Sequence, residues 1–188
     1  SPRENLLKQI KSKALIKSEG IQLASGQKSS FYIDSKKLTL NAAGLKLVSQ
    51  AFYSKLLELN PKPNLVAGVS IGGDPLVAGV LMEASQNWSD LQGLLVRKEA
   101  KSHGLTAGRA VEGPEAFAGN RVWMLEDIVS TGGSSLKAAQ FLKAEGYQLD
   151  GIICMVDREM GGVENLTQAL GIPVHSRYKV SEVLADAR

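Results

Sequence analysis

An α/β fold, with a mostly parallel central sheet flanked by helices and a small β-rich hood at the N-terminal end, is what this sequence predicts, on three observations. Apolar runs at 65–69, 91–96, 122–125 and 151–156 have the length and composition of strands buried on both faces. Between most of them lie segments with apolar residues at helical spacing. The loops that follow the runs are rich in glycine, hydroxyls and charge, and such sheets bind ligands beyond the carboxyl ends of their strands. Alternation of this kind implies parallel strands joined by right-handed crossovers.

Taken in order, residues 4–17 predict a first helix with Leu6, Leu7, Ile10, Ala14 and Leu15 on one side. The polar stretch 21–38, IQLASGQKSSFYIDSKKL, predicts two short strands turning at Ser25, Gly26 and Gln27, and residues from about 18 to 40 form the hood. A second helix covers 42–59 and stops near Asn60 and Pro61. The run 65–69 leads into Ser70, Ile71, Gly72 and Gly73, after which Asp74 and Pro75 read as an N-cap and first-turn pair opening a helix to about residue 85. The run 91–96 enters a charged loop, and 111–122, holding Gly113, Pro114 and Gly119, reads as a hairpin connection. The strand 122–125 is followed by a turn and a helix over 135–145, with Leu136, Ala139 and Leu142 at helical spacing. The strand 151–156 ends at Asp157 and Arg158. With 188 residues, 44% of them hydrophobic, the chain buries one sizeable core, which predicts a single domain over residues 1–188.

Composition narrows the function. A net charge of +3, from 22 basic and 19 acidic residues, is too small to argue for a nucleic-acid partner. The single cysteine, Cys154, lies in an apolar run and reads as a buried strand residue, so no disulfide forms within the chain and a reducing, cytoplasmic setting is expected. No apolar run approaches ~18 residues and the N-terminal residues lack the apolar core of a signal peptide, so no membrane association is expected. No histidine and cysteine cluster suits zinc, and His175 reads as structural.

The most informative segment is VWMLEDIVSTGGSS at 122–135, which joins an apolar strand, two adjacent acids and a turn of hydroxyls and glycines. At a strand-to-helix turn the free backbone N–H groups and the positive end of the helix dipole both favour an anion. Gly132 and Gly133 admit close approach, while Ser130, Thr131, Ser134 and Ser135 add donors. Two carboxylates beside a phosphate make sense if Glu126 and Asp127 hold a sugar's hydroxyls or a bridging metal ion. An ordinary turn with a good N-cap is the competing explanation. A second dense segment, RKEAKSHG at 97–104, sets Arg97, Lys98, Lys101 and His103 directly after a strand and ends in glycine. Cations that fold over a pyrophosphate account for this pattern better than a solvated charge run does.

EDIVSTGGS at 126–134, RKEAKSHG at 97–104 and SGQKSSFYID at 25–34 together resemble the orotate phosphoribosyltransferases, a family of type I phosphoribosyltransferases, over about residues 23–158. The resemblance implies an enzyme that joins orotate to 5-phosphoribosyl 1-diphosphate with Mg²⁺, releasing pyrophosphate and orotidine 5′-monophosphate, and that works as a homodimer with shared sites. It assigns Arg97, Lys98, Lys101 and His103 to the diphosphate, with Lys98 reaching the partner subunit's site. It assigns Glu126, Asp127, Ile128, Val129, Ser130, Thr131, Gly132, Gly133 and Ser134 to the ribose 5-phosphate, and Ser130, Arg158 and Lys28 to orotate. Lys98, Lys101, His103 and Asp127 are then the catalytic candidates, with Mg²⁺ held mainly through substrate oxygens. For Arg158 the competing reading is a salt bridge to Asp157 or Glu159. Some relatives carry a Tyr-Lys pair where Ile71 and Gly72 stand and a lysine at the position of Ala24; here Gly72 and Gly73 are expected to offer backbone N–H groups instead. A phosphoribosyltransferase for another base, or a regulator that binds phosphoribosyl diphosphate without chemistry, are the alternatives.

Overall fold

The computed structural model describes residues 1–22, 26, 28–100, 102 and 108–185. A helix α1, Pro2–Gln9, runs through a π turn, Ile10–Ala14, into an antiparallel hairpin of β1, Leu15–Gln22, and β2, Lys28–Ile33. The short helix α2, Lys36–Thr39, and the long helix α3, Ala42–Leu57, follow. Then come β3 Leu65–Val69, α4 Asp74–Ala84, β4 Gln92–Val96, β5 Val111–Glu112, β6 Val122–Val129, α5 Gly133–Ala144, β7 Leu149–Asp157, α6 Gly162–Leu170, β8 Val174–Lys179 and α7 Val180–Leu184. The sheet order is β5-β4-β3-β6-β7-β8, with β5 antiparallel to β4 and every other neighbouring pair parallel.

Burial on both faces is why the strands read as continuous apolar runs. Side chains alternate across a strand, so Val66, Trp123, Leu125, Ile153 and Met155 join Leu6, Ile10, Phe52, Leu76 and Val80 in one core layer. Leu65, Ala67, Val122, Met124, Ile152 and Cys154 join Ala138, Leu142 and Leu166 of α5 and α6 in the other. Cys154 is fully buried, as its run implied, and its thiol is pushed up by that burial. His175 stacks flat on Trp123, with ring centroids 5.7 Å apart. No helix among the described residues is long and apolar enough to cross a membrane.

Four local expectations change. Residues 15–17 leave the predicted first helix because Leu15, Ile16 and Lys17 pair with Ile33, Tyr32 and Phe31 as a strand. The N-cap of α4 is Gly73 rather than Asp74, whose carboxylate instead accepts the Ser70 hydroxyl at 2.8 Å. Of 111–122 only Val111 and Glu112 pair with β4. The signature strand continues past residue 125 to Val129, because β7 pairs it as far as Val129↔Asp157. Beyond residue 158, α6, β8 and α7 complete the sheet and its cover. The predicted turn at Ser25 and Gln27 lies outside the described residues.

Gly151 marks a tight contact in this core, where a Cβ would strike the six-membered ring of Trp123. Gly151→Ala is therefore expected to destabilise the fold by ~1–3 kcal/mol, as overpacking does. Urea denaturation followed by circular dichroism measures it; an unchanged midpoint would contradict this packing.

Candidate functional site

Four loops meet at the carboxyl ends of β3, β4, β6 and β7, and strand pairing brings them together. The Arg158 N–H donates to the Val129 carbonyl at 2.9 Å, so the residue after β7 is tied to the last residue of β6. The turn after β6 also lies against the start of α6: a Cβ on Gly162 would strike the Ser130 carbonyl, and one on Gly132 would come within 3.0 Å of the Gly162 carbonyl. Gly132 itself has φ 87°, a left-handed conformation glycine adopts without strain.

The helix start above this turn is uncapped by any side chain, which removes the ordinary N-cap explanation for its hydroxyls. The Leu136 N–H donates to the Gly132 carbonyl at 2.9 Å. The amides of Gly133, Ser134 and Ser135 precede that bond and have no acceptor within the helix. Thr131, Gly133 and Ser134 are exposed, so free donors and hydroxyls are presented together. Ile128 and Val129, by contrast, sit inside β6: Val129 is buried among α5-side residues, Ile128 packs on the other layer, and only their backbone can serve a ligand.

The adjacent acids separate to opposite faces of the sheet. Glu126 points under α5, is only 4% exposed, and accepts the Ser135 hydroxyl at 2.6 Å. Burial, with some help from Asp127, pushes its carboxyl up to about 8 against the bond from Ser135. Asp127 stays half-buried on the other face. It accepts the Ser35 hydroxyl and, at 2.8 Å, the Ile128 N–H. Gly72 closes over it, since a Cβ there would lie 2.5 Å from an Asp127 carboxylate oxygen. A lysine at position 72 would therefore displace Asp127. The expected pair of free amides is corrected as well: the Gly73 N–H is spent on the Val69 carbonyl at 2.8 Å, leaving Gly72.

Arg158 is 8% exposed and its guanidinium lies 4.6 Å from the centroid of the Phe31 ring. One terminal nitrogen donates to the Ser29 hydroxyl at 3.3 Å, while the buried Nε has no partner. Among the described residues it forms no ion pair with Asp157 or Glu159, so the salt-bridge reading fails. Asp157 instead accepts the Glu159 N–H at 2.8 Å. Strand β2 of the hairpin thus supports Arg158, with exposed Lys28 at its start.

Arg97, Lys98, Glu99, Ala100 and Ser102 line one side of a cleft of about 860 Å³, facing Ser70 and Ile71. Arg97 pairs with Glu112 at 3.3 Å, both half-exposed, a contact weak enough to exchange for a ligand anion. Lys101 and His103 lie outside the described residues. The signature turn does not line this cleft; Gly72, packed on Asp127, joins the two regions. Ser29 and Ser35 escaped the sequence reading, since each acts through a partner 92 or more positions away, while Ser135, expected to add a donor at the turn, is buried and spends its hydroxyl on Glu126.

Comparisons with known proteins find relatives in sequence and in fold. No family model matches the chain. It is 42% identical over 163 residues to an orotate phosphoribosyltransferase of Thermosynechococcus vestitus, covering 87% of this chain and 83% of that one. It is 36% identical over 184 residues to the orotate phosphoribosyltransferase of Aquifex aeolicus, covering 97% of each. Among solved structures, orotate phosphoribosyltransferase from Aeropyrum pernix superposes with a TM-score of 0.76 at 27% identity, covering 95% of this chain and 96% of that one. The Mycobacterium tuberculosis enzyme in complex with 5-phospho-α-D-ribosyl 1-diphosphate shares the fold, with a TM-score of 0.77 at 22% identity over 97% of this chain and 99% of that one.

The buried Glu126 predicts a pH effect. An unfolded glutamate titrates near 4.5 and this one at about 8, so between those values the folded chain keeps a proton that the unfolded chain has lost. Stability should fall as pH rises through that window, by up to ~1.4 kcal/mol per pH unit from this group, and the contribution should level off above it. Glu126→Gln is neutral throughout and should flatten the profile. Urea denaturation of both proteins at several pH values between 5 and 8 tests this; parallel profiles would show that Glu126 is not held protonated.

Proposed function

The chain belongs to the orotate phosphoribosyltransferase family, an enzyme family that transfers the 5-phosphoribosyl group to orotate, and on that premise we propose how its residues divide the work. The observation that carries the orotate assignment is Arg158, a buried cation stacked on Phe31 with no carboxylate partner among the described residues. Burial lowers its pKa from the ordinary arginine value, yet a guanidinium remains charged. An anionic substrate would supply the missing partner, and a carboxylate fits a guanidinium edge through two parallel hydrogen bonds.

The exposed amides of Gly133 and Ser134 and the hydroxyls of Ser130, Thr131 and Ser134 hold the 5-phosphate. Asp127, fixed by Ser35, Ile128 and the backbone of Gly72, accepts from the ribose hydroxyls. Glu126 serves the same sugar through the turn it braces at Ser135. Arg97 and Lys98, with Lys101 and His103, meet the diphosphate, and Ser130 and Lys28 join Arg158 around orotate. No covalent nucleophile is needed. The ring nitrogen of orotate forms a bond to the anomeric carbon as the bond to the diphosphate oxygen breaks; the electron pair leaves with the diphosphate, which also takes up the proton that the nitrogen gives up. Catalysis is then alignment plus charge stabilisation of the departing group. Mg²⁺ would be held mainly through substrate oxygens, with no residue assigned to it directly, and would neutralise diphosphate charge.

The single domain is a homodimer in the cytoplasm, without nucleic-acid or membrane partners, in which Lys98 serves the neighbouring site and Arg158 its own. Purified protein is expected to convert orotate, but not uracil or hypoxanthine, and only with a divalent cation. Consumption of another base with orotate untouched would refute the acceptor. Lys98→Ala and Arg158→Ala should each lose about 10- to 150-fold, the former in turnover and the latter chiefly in orotate affinity, as charge-assisted contacts do. On equal mixing with subunit exchange, about half the dimers carry one intact site, so activity should recover to about a quarter of wild type. Demonstrated exchange without recovery would exclude shared sites.

A further inference from the structure

We propose that Glu145 is a positioning residue that clamps the chain returning from the basic segment and thereby sets Arg97 and Lys98 over the diphosphate. The inference rests on the assignment of those cations above. Glu145 caps the carboxyl end of α5, and its carboxylate gathers donors from three consecutive residues. One oxygen accepts the N–H groups of Ala110 and Val111 at 2.7 and 3.1 Å, and the other accepts Nε of Arg109 at 2.9 Å. Ala110 and Val111 are each 1% exposed, so no solvent stands ready to replace that acceptor.

The clamp passes directly to the basic segment. The Ala110 carbonyl accepts the Arg97 N–H at 2.8 Å, Val96 pairs with Val111, and the Arg97 side chain reaches Glu112. One peptide group therefore lies between the Glu145 carboxylate and the backbone of Arg97. Tyr147 steadies the arrangement, accepting from Arg109 at 3.4 Å and donating to the Pro114 carbonyl. The same α5 begins at the phosphate turn, 12 residues earlier, and spans ~18 Å. A single rigid helix thus indexes the part of the site that takes the 5-phosphate against the part that takes the diphosphate, the two charged ends of one substrate.

The test is calorimetric binding of phosphoribosyl diphosphate, with steady-state kinetics, on the full chain and two variants. Glu145→Ala strands two buried amides and a guanidinium, and should weaken phosphoribosyl diphosphate binding and kcat/KM for it by ~10- to 100-fold, with KM for orotate within about twofold of wild type. Glu145→Gln keeps an oxygen for the amides but gives up the charge facing Arg109, and should lose ~3- to 10-fold with the same selectivity. If Glu145→Ala does not fold, Glu145→Gln decides. Unchanged phosphoribosyl diphosphate binding in the folded variants, or equal losses for both substrates, would overturn the proposal by reducing Glu145 to a structural cap. Wild-type protein that binds phosphoribosyl diphosphate but ignores orotate would overturn the acceptor assignment instead, and the binding comparison would still decide the role of Glu145.

Discussion

Parallel pairing between β6 and β7 is the constraint on which the site depends. It extends to Val129↔Asp157, and the next backbone bond, from Arg158 to Val129, carries it one step past the strands. That places a glycine- and hydroxyl-rich helix start beside a buried arginine, groups that are 24 or more residues apart in sequence. Were the ladder to end at residue 125, Glu126 and Asp127 would belong to a loop and could turn together toward a ligand. Continued pairing instead imposes the two-residue alternation of a strand and sends the acids to opposite faces.

Such separation resolves an electrostatic difficulty. Two ionised carboxylates beside a phosphate would repel it and each other. Burial under α5 makes Glu126 costly to charge and favours its protonated form, hydrogen-bonded to Ser135. Asp127 is left on the other face, where its carboxylate accepts the Ser35 hydroxyl from the end of the hairpin. The turn above remains a net donor surface of amides and hydroxyls, as an anion requires. Arg158 answers the opposite problem: a cation taken out of water is stabilised by the face of Phe31 and by Ser29.

Legibility in the sequence followed the range of the interactions. Strands buried on both faces were evident because Leu65–Val69 and Val122–Leu125 consist wholly of apolar residues, and local periodicity found α3, α4 and α5. The glycine- and hydroxyl-rich turn and the basic segment stood out because their residues are contiguous. Leu15 to Lys17 misled because leucine, isoleucine and lysine suit a helix, whereas the pairing with residues 31–33 that makes them a strand is invisible locally. Ser35 and Glu145 were missed for the same reason, and Gly72, expected to offer its N–H, was not expected to pack on Asp127. Each is an ordinary residue in its own segment and gains its role only from a partner 36, 55 or 92 positions away.

Those long-range partners share a geometry that explains how a site of short loops can be rigid. Gly72 lies against the Asp127 carboxylate and Gly162 against the Ser130 carbonyl, so the loops touch through backbone and short side chains with no room for a Cβ. Contacts of that kind leave few rotamers to freeze when substrate binds, which lowers the entropic cost of ordering the site. Charged groups with long side chains, Arg97 and Lys98, are confined to the rim, where Arg97 can exchange Glu112 for a ligand oxygen at little cost. The candidate site therefore divides into a backbone cradle with little freedom to lose and a cationic rim free to adapt. In the proposed reaction, positioning at the cradle would stay constant while negative charge on the diphosphate grew, which is the condition under which charge stabilisation lowers a barrier rather than merely tightening binding.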